Sequence, residues 1–415
     1  MHIASAAAAI GTIPAGARVV SSPGCGAPTT LLAALSHHAP AGMSLCSGLL
    51  LGEYSFLDAV RDGHMTYTTW HVMPPVRQMV ADGAVSFVPA RATQVASFLT
   101  HRGIDTALIR VSPPDSRGYC SLGPSVSYSA DAVTMSERVI AEIDETLPRT
   151  GGDSWVHEST ISVAVEAATP RPEYRRATLD AVSIEIARNL IGLIPEAPTL
   201  QIGIGAIPEA FVEELISRRT GGLRFAGMAT DGMAELGTRD LLDVAPSGVG
   251  PAIRVAELMG SGKLMGFADC NSALEAFTAR NAIDPRALGP VPRLICINSA
   301  VEVDLHGQVN AEWAAGSQLS GAGGSVDFFE GARASEGGMR IIALPSVTNR
   351  DGTSRIVANL AAGTPVTVPR HSVDVVVTEW GIAHIANAST RERAERLAAI
   401  AHPDHRSGLY EAAYR

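Results

Sequence analysis

Three stretches of this chain carry residue types that could do chemistry. The first is "IGIGAIPEA" (202–210), with Gly203 and Gly205 after an aliphatic run and Pro208 opening an amphipathic segment. Glycine lets a ligand approach the backbone, and proline in a first helical turn gives up no needed hydrogen bond. A helix starting there turns free N–H donors outward, a seat for a phosphate or carboxylate made by Gly203, Ile204, Gly205, Ala206 and Ile207. The second is "LSGAGGSVDFFEGA" (319–332), where Gly321, Gly323 and Gly324 precede Ser325. Successive N–H groups in such a loop can form a nest for an oxyanion. The third is "FAGMATDGMAEL" (225–236), which carries no side chain at Gly227 and no acid before Asp231.

Other signals fail on inspection. A dinucleotide fingerprint needs a third glycine where Pro208 stands. "ELMGSGKL" is not a phosphate loop: Glu257 occupies the place of its first glycine, and Leu264 follows Lys263 where a Ser or Thr would hold magnesium. The histidines show no metal-ligand spacing, and no metal site is expected. Acid/base candidates are Glu53, Asp231, Glu235, Glu302, Glu379 and Asp404.

These segments need a scaffold, and the chain predicts one. Strand signals at 17–22, 106–112, 199–205, 293–299, 340–346 and 374–381 alternate with helical stretches at 28–38, 178–194 and 208–219. Such alternation reads as βαβ units: an α/β fold with mainly parallel sheets and flanking helices. A faint duplication runs through it. "SSPGCGAPTTLLAAL" (21–35) echoes "QIGIGAIPEAFVEEL" (201–215), and each is followed at similar spacing by a strand ending in Asp-x-x-Gly, at Asp115–Gly118 and Asp304–Gly307. Two similar open α/β domains are therefore expected, over 1–185 and 186–415, the second carrying the glycine-rich loop.

Composition limits the partners. The 415 residues are 46% hydrophobic and 18% charged, with a formal net charge of −10. That balance argues against a nucleic-acid partner, and no apolar run approaches the ~20 residues of a membrane span. Five scattered cysteines without a Cys-x-x-Cys pair fit a reducing cytoplasm, the expected location. The Ala-rich start lacks a basic region and reads as a helix rather than a signal peptide. Lys263 is the single lysine, and no function is drawn from it.

Together, "GEYS" (52–55), "VSPPDSRGYCSLGPSVSY", "TLQIGIGAIPEA", "INSAVEVDLHGQVNAE", "SGAGGSVDFFEGA", "GGMRIIALPS", "VVVTEWGIA" and "RERAERLAAIAHPDHR" resemble the acetyl-CoA hydrolase/CoA-transferase family, particularly its 4-hydroxybutyrate CoA-transferase type. The resemblance runs from about residue 15 to the end. It implies two α/β domains of class I CoA-transferase kind, coenzyme A thioesters as substrates with no tightly bound cofactor, and a homodimer or larger oligomer. In that family a glutamate four residues before an Asp-Gly pair attacks the thioester and carries the CoA. The matching segment here keeps Met228, Asp231 and Gly232 but has Gly227 at the nucleophile's place, and Ser325 replaces the family's usual glutamine. Three functions follow as alternatives. One is an enzyme that processes acyl-CoA, or acyl-phosphopantetheine on a carrier protein, in which water or another acceptor attacks directly. The second is a conventional transferase using a relocated glutamate, Glu235 or Glu302. The third is a non-catalytic thioester-binding partner subunit.

Overall fold

The computed structural model describes residues 3–243 and 250–413. The chain forms two compact units. The first comprises Met1–Arg175, Gly227–Ala234 and Val249–Ile283, and the second Arg176–Ala226, Glu235–Gly248 and Asp284–Arg415.

In the first unit the Ala-rich start forms a short helix, Ala6–Ile10. Seven strands follow: β1 (Arg18–Ser21), β2 (Ser44–Ser47), β3 (Thr66–Thr69), β4 (Ser86–Phe87), β5 (Thr106–Val111), β6 (Arg138–Ile143) and β7 (Val163–Glu166). They lie in the order β7-β6-β5-β1-β2-β3-β4, all parallel. All six residues of β5 are buried, as expected of a central parallel strand covered on both faces. A cluster built on Leu31, Leu35, Leu45, Phe56, Tyr67 and Leu108 fills the space between sheet and helices. The helix α1 (Thr29–His38) follows β1 through a glycine-bearing turn. The strands Ile253–Leu258 and Leu274–Ala276, paired in parallel, also belong to this unit.

In the second unit, β8 (Thr199–Ile202) leads to α2 (Ala206–Ser217) and then β9 (Arg224–Ala229), whose last three residues belong to the first unit. β10 (Leu294–Asn298) continues into a hairpin of β11 (Glu302–Asp304) and β12 (Val309–Asn310). After it come helix α3 (Ser325–Ala334), β13 (Met339–Ala343), β14 (Val375–Thr378) and β15 (Gly381–His384). The order is β15-β14-β13-β10-β8-β9, parallel except for the antiparallel pair at the β15 edge. Mainly parallel sheets with flanking helices are thus found, as the sequence predicts.

The duplication is visible in atomic detail. β1 pairs with β5 as β8 pairs with β10. Asp115 Oδ1 accepts the N–H groups of Arg117 and Tyr119 at 2.8 and 2.9 Å; Asp304 Oδ1 accepts those of His306 and Gln308 at 3.0 and 2.9 Å. The glycines closing the two turns have φ of 83° and 86°. One turn chemistry, with an Asp satisfying backbone donors at i+2 and i+4, ends the matching connection in each half.

Candidate functional site

In the second unit the strand order switches direction at the carboxyl ends of β8 and β10. The chain leaves β8 toward β9 on one side, while β10 lies on the other; such a switch point is where parallel α/β sheets hold ligands. Gly203, Ile204, Gly205 and Ala206 are half-exposed there, and Ile207 is buried. Gly205 caps α2 at φ 121° and ψ −178°, a conformation suited to glycine, and no side chain bonds the helix start. Nothing lies within 4 Å of where a Cβ would stand at Gly203 or Gly205. Behind this opening Asn298 Nδ2 donates to Gln201 Oε1 at 3.0 Å, tying the two strand ends together.

The glycine-rich loop reaches the same sheet edge. Leu294 N, at the start of β10, donates to Ser335 Oγ beyond the end of α3, and Cys296 Sγ meets the Phe328 carbonyl near its beginning. α3 therefore runs antiparallel to β10, and Gly321–Ser325 at its start lie toward the carboxyl end of the strand. Gly323 has φ 55°. Glu312 holds the approach to this loop. Its carbonyl accepts Leu319 N at 2.7 Å, and its buried carboxylate accepts Gln318 Nε2 and Thr367 Oγ1, both at 2.9 Å. Residue-by-residue reading missed Glu312; its place in "VNAEW", directly after the hairpin, was the available signal. Glu302 accepts Asn310 Nδ2 at 3.0 Å across the hairpin. That bond orients Asn310, which in turn receives the N–H groups of Glu312 and Trp313.

Of the remaining candidates, Gly227, Asp231 and Glu53 belong to the first unit, and Glu235, Glu379 and Asp404 to the second, where Glu235 pairs with Arg239 and Glu379 accepts Ser346 N at 2.9 Å. Gly227 is buried, with φ 97°. Asp231 accepts Ser261 N and Leu264 N at 3.0 and 3.1 Å, so its carboxylate satisfies donors at the start of the helix Gly262–Ala268. Glu53 is exposed and borders a cavity of about 460 Å³, whose walls include Thr29, Tyr54, Thr169, Pro170 and Glu173.

The first half's counterpart of the open helix start is filled. Thr30 N and Leu31 N, in the first turn of α1, donate to Glu142 Oε2 at 2.8 and 3.2 Å. Glu142 is buried against Arg110, whose Nη1 lies 3.2 Å from Glu142 Oε1 and whose Nε lies 2.8 Å from Asp144 Oδ2. Burial raises the Glu142 carboxyl, while Arg110 and the Thr30 and Leu31 donors oppose the rise. An internal carboxylate thus occupies the position that α2 leaves open.

Sequence reading also passed over a buried polar group around Cys25. Burial pushes the Cys25 thiol up to about 11, and both Arg171 and Glu257 act on it electrostatically. Burial pushes the Glu257 carboxyl up to about 8, although the hydroxyls of Ser127 and Ser125 favour its charged form. Arg171 bonds Glu173 Oε1 through Nη2 at 3.1 Å. Among the described residues no group of three or more His, Cys, Asp or Glu could hold a metal ion, and no helix is long and apolar enough to cross a membrane.

Comparison with known proteins agrees with this architecture. Residues 1–184 match the acetyl-CoA hydrolase/transferase N-terminal domain, and residues 260–413 match the acetyl-CoA hydrolase/transferase C-terminal domain. The chain is 35% identical to the 4-hydroxybutyrate coenzyme A transferase of Clostridium kluyveri, across 98% of this chain and 96% of that one. It is 34% identical to the succinyl-CoA:acetate/propanoyl-CoA:succinate CoA transferase of Fasciola hepatica, across 88% of this chain and 76% of the relative. The solved structure of RipA from Yersinia pestis superposes with a TM-score of 0.91 at 27% identity, covering 100% of this chain and 97% of that one. With both domain signatures in order, a full-length relative above 30% identity and the same two-sheet fold, this chain belongs to the acetyl-CoA hydrolase/transferase family.

Proposed function

We propose that this protein processes acyl-CoA, or the same thioester on a carrier's phosphopantetheine arm, by letting an external nucleophile attack the thioester carbonyl directly. The feature that carries this reading is Gly227, which has no side chain and which the resemblance sets at the place of the family's attacking glutamate. A covalent route divides one displacement into easier steps and requires a positioned nucleophile. Without one, water or an acceptor must supply the electron pair. The thioester carbon passes through a tetrahedral intermediate, and CoA leaves as its thiolate. The N–H groups of Gly203–Ile207 and Gly321–Gly324 would stabilise the oxyanion, an effect worth about 3–4 kcal/mol for one well-aimed donor.

The carboxylates that could replace Gly227 are already engaged. Asp231 holds a helix start, Glu302 holds Asn310, and Glu235 pairs with Arg239 at 2.8 Å. Of the candidate bases Glu53, Asp231, Glu235 and Glu302, Glu53 is the exposed one, at the edge of its cavity. We further infer a cytoplasmic homo-oligomer, consistent with the unpaired cysteines and the family's usual assembly.

The test is to incubate the protein with a panel of acyl-CoAs, with and without carboxylate, amine or alcohol acceptors. Released thiol is measured, and a parallel sample is reduced with borohydride and searched for modified glutamate by mass spectrometry. CoA release with every glutamate unmodified is the expected result. A reduced glutamate, or no release across the panel, would overturn the proposal.

A further inference from the structure

The first unit holds another cavity, of about 520 Å³, whose lining residues take no part in the reaction described above. Three short elements wall it. The turn and helix over 92–102 contribute Ala92, Ala96, Ser97 and His101; the helix Ser129–Met135 contributes Asp131 and Met135; and the helix Ala279–Ala282 contributes Arg280. Tyr128 also lines it, and its hydroxyl is spent inside the protein, accepting Gly48 N at 3.2 Å and donating to the Ser21 carbonyl at 2.9 Å. These walls are fixed to one another. The buried Trp70 ring packs edge-on against both Tyr128 and Phe98, with centroids 5.0 and 5.8 Å away, and Phe98 sits in the helix Val95–Arg102. Ala279 N donates to the Ser127 carbonyl at 3.0 Å, which ties the Arg280 helix to the segment before Tyr128. Asp153 Oδ2 accepts Thr278 N at 3.0 Å and Asn281 Nδ2 at 2.7 Å, one on each side of Arg280 in the chain.

Two opposite charges line this space, and neither is matched. Asp131 is half-buried in the first turn of its helix, where the dipole favours a carboxylate. Among the described residues it accepts no hydrogen bond and forms no ion pair, and Arg280 donates none and forms none. The two act on each other only at longer range: burial raises the Asp131 carboxyl, Arg280 opposes that rise, and Asp153 adds to it. Polar groups withdrawn from water are ordinarily hydrogen-bonded, and a carboxylate gains most from a donor that is itself charged. Arg280 is exposed at the same cavity, and its planar guanidinium carries paired donors that match a carboxylate. A ligand that answers both groups bears an ammonium at one place and a carboxylate at another. Much of the remaining surface is hydrocarbon, from Ala92, Ala96, Met135 and Ala279. The volume lies within the roughly 300–1,000 Å³ of small-molecule sites.

We propose that this cavity binds an aliphatic α-amino acid, with its ammonium on Asp131, its carboxylate on Arg280 and its side chain against Ala92, Ala96 and Met135. The inference is independent of the thioester-processing reading, because its test measures binding. L-leucine is titrated calorimetrically into the full-length protein, beside 4-methylpentanoate, which lacks the amino group, and 3-methylbutylamine, which lacks the carboxylate. Leucine is expected to bind at least tenfold more tightly than either, roughly the effect of losing one charge-assisted contact. Asp131→Asn and Arg280→Gln should each weaken leucine at least tenfold, and Ala96→Leu, which fills the cavity, should abolish its binding. Thermal unfolding of each variant at the wild-type midpoint shows that the fold is kept. CoA release from acyl-CoA should be unchanged in Asp131→Asn and Arg280→Gln, since neither residue belongs to the thioester site. Failure of leucine to bind at millimolar concentration, or equal binding of the three compounds, would overturn the inference. So would a leucine affinity that survives in folded Asp131→Asn and Arg280→Gln, because binding would then lie elsewhere.

Discussion

At position 227 the backbone has φ 97°, where an L side chain is strained. Gly227→Ala should therefore lower stability by about 1–2 kcal/mol, the usual cost of a Cβ in a left-handed conformation, seen as a lower urea midpoint at unchanged slope. Gly227→Glu carries the same cost. It will restore a trappable acyl-glutamate only in molecules whose backbone rotates there, so the gain in acetate-dependent CoA exchange should be partial. Glu257 makes a separate prediction. Its folded-state pKa is raised from 4.5 to about 8, so between those values the folded protein keeps a proton that the unfolded chain releases. Stability must fall as pH rises through that window. Glu257→Gln should flatten this slope when urea midpoints are compared near pH 5 and about pH 9. His71 acts in the opposite sense. Burial lowers it to about 4, so stability is lost as pH falls below its ordinary 6.5.

Two helix starts show how a local element decides what a carboxylate is for. The helix Gly262–Ala268 uses Asp231 as its acceptor. Asp231→Ala should cost about 1–2 kcal/mol, the range for a lost helix cap, whereas Asp231→Asn should keep both the cap and turnover. Loss of turnover in Asp231→Asn at unchanged stability would instead make Asp231 an acid/base group. The start of α1 is tied by Glu142 to Arg110, a fully buried pair. Removing one partner of such a pair leaves a charge without compensation, so Glu142→Ala should cost about 3–5 kcal/mol in a denaturation experiment.

Across the whole molecule the same motif serves two purposes. Each half repeats a strand, a glycine turn and a helix, followed by an Asp-x-x-Gly turn. In the first half the helix start is filled by an internal carboxylate, while in the second it stands open at Gly203–Ile207. The open copy is the one suited to a ligand. Gly203→Val, placed where nothing lies within 4 Å, should leave the unfolding midpoint nearly unchanged while raising KM for acyl-CoA at least tenfold, roughly the effect of losing one charge-assisted contact. A large fall in stability with unaltered KM would move the thioester seat elsewhere.

Much of this was legible in the residues themselves. Aliphatic runs alternating with amphipathic stretches dictate parallel strands under helices, because each face must be covered by apolar side chains. The Asp-x-x-Gly turns declare themselves too, since their hydrogen bonds are local: the carboxylate reaches only four residues along. The glycine loops and the bare position 227 are likewise properties of the chain. What folding alone decided is which polar groups meet. Asp231 finds a helix start 30 residues onward, Glu142 finds α1 from 112 residues away, and the Cys25 thiol meets the Gly260 carbonyl from 235 residues away. No spacing in a linear sequence records those encounters, because burial brings the groups together and then fixes their charge.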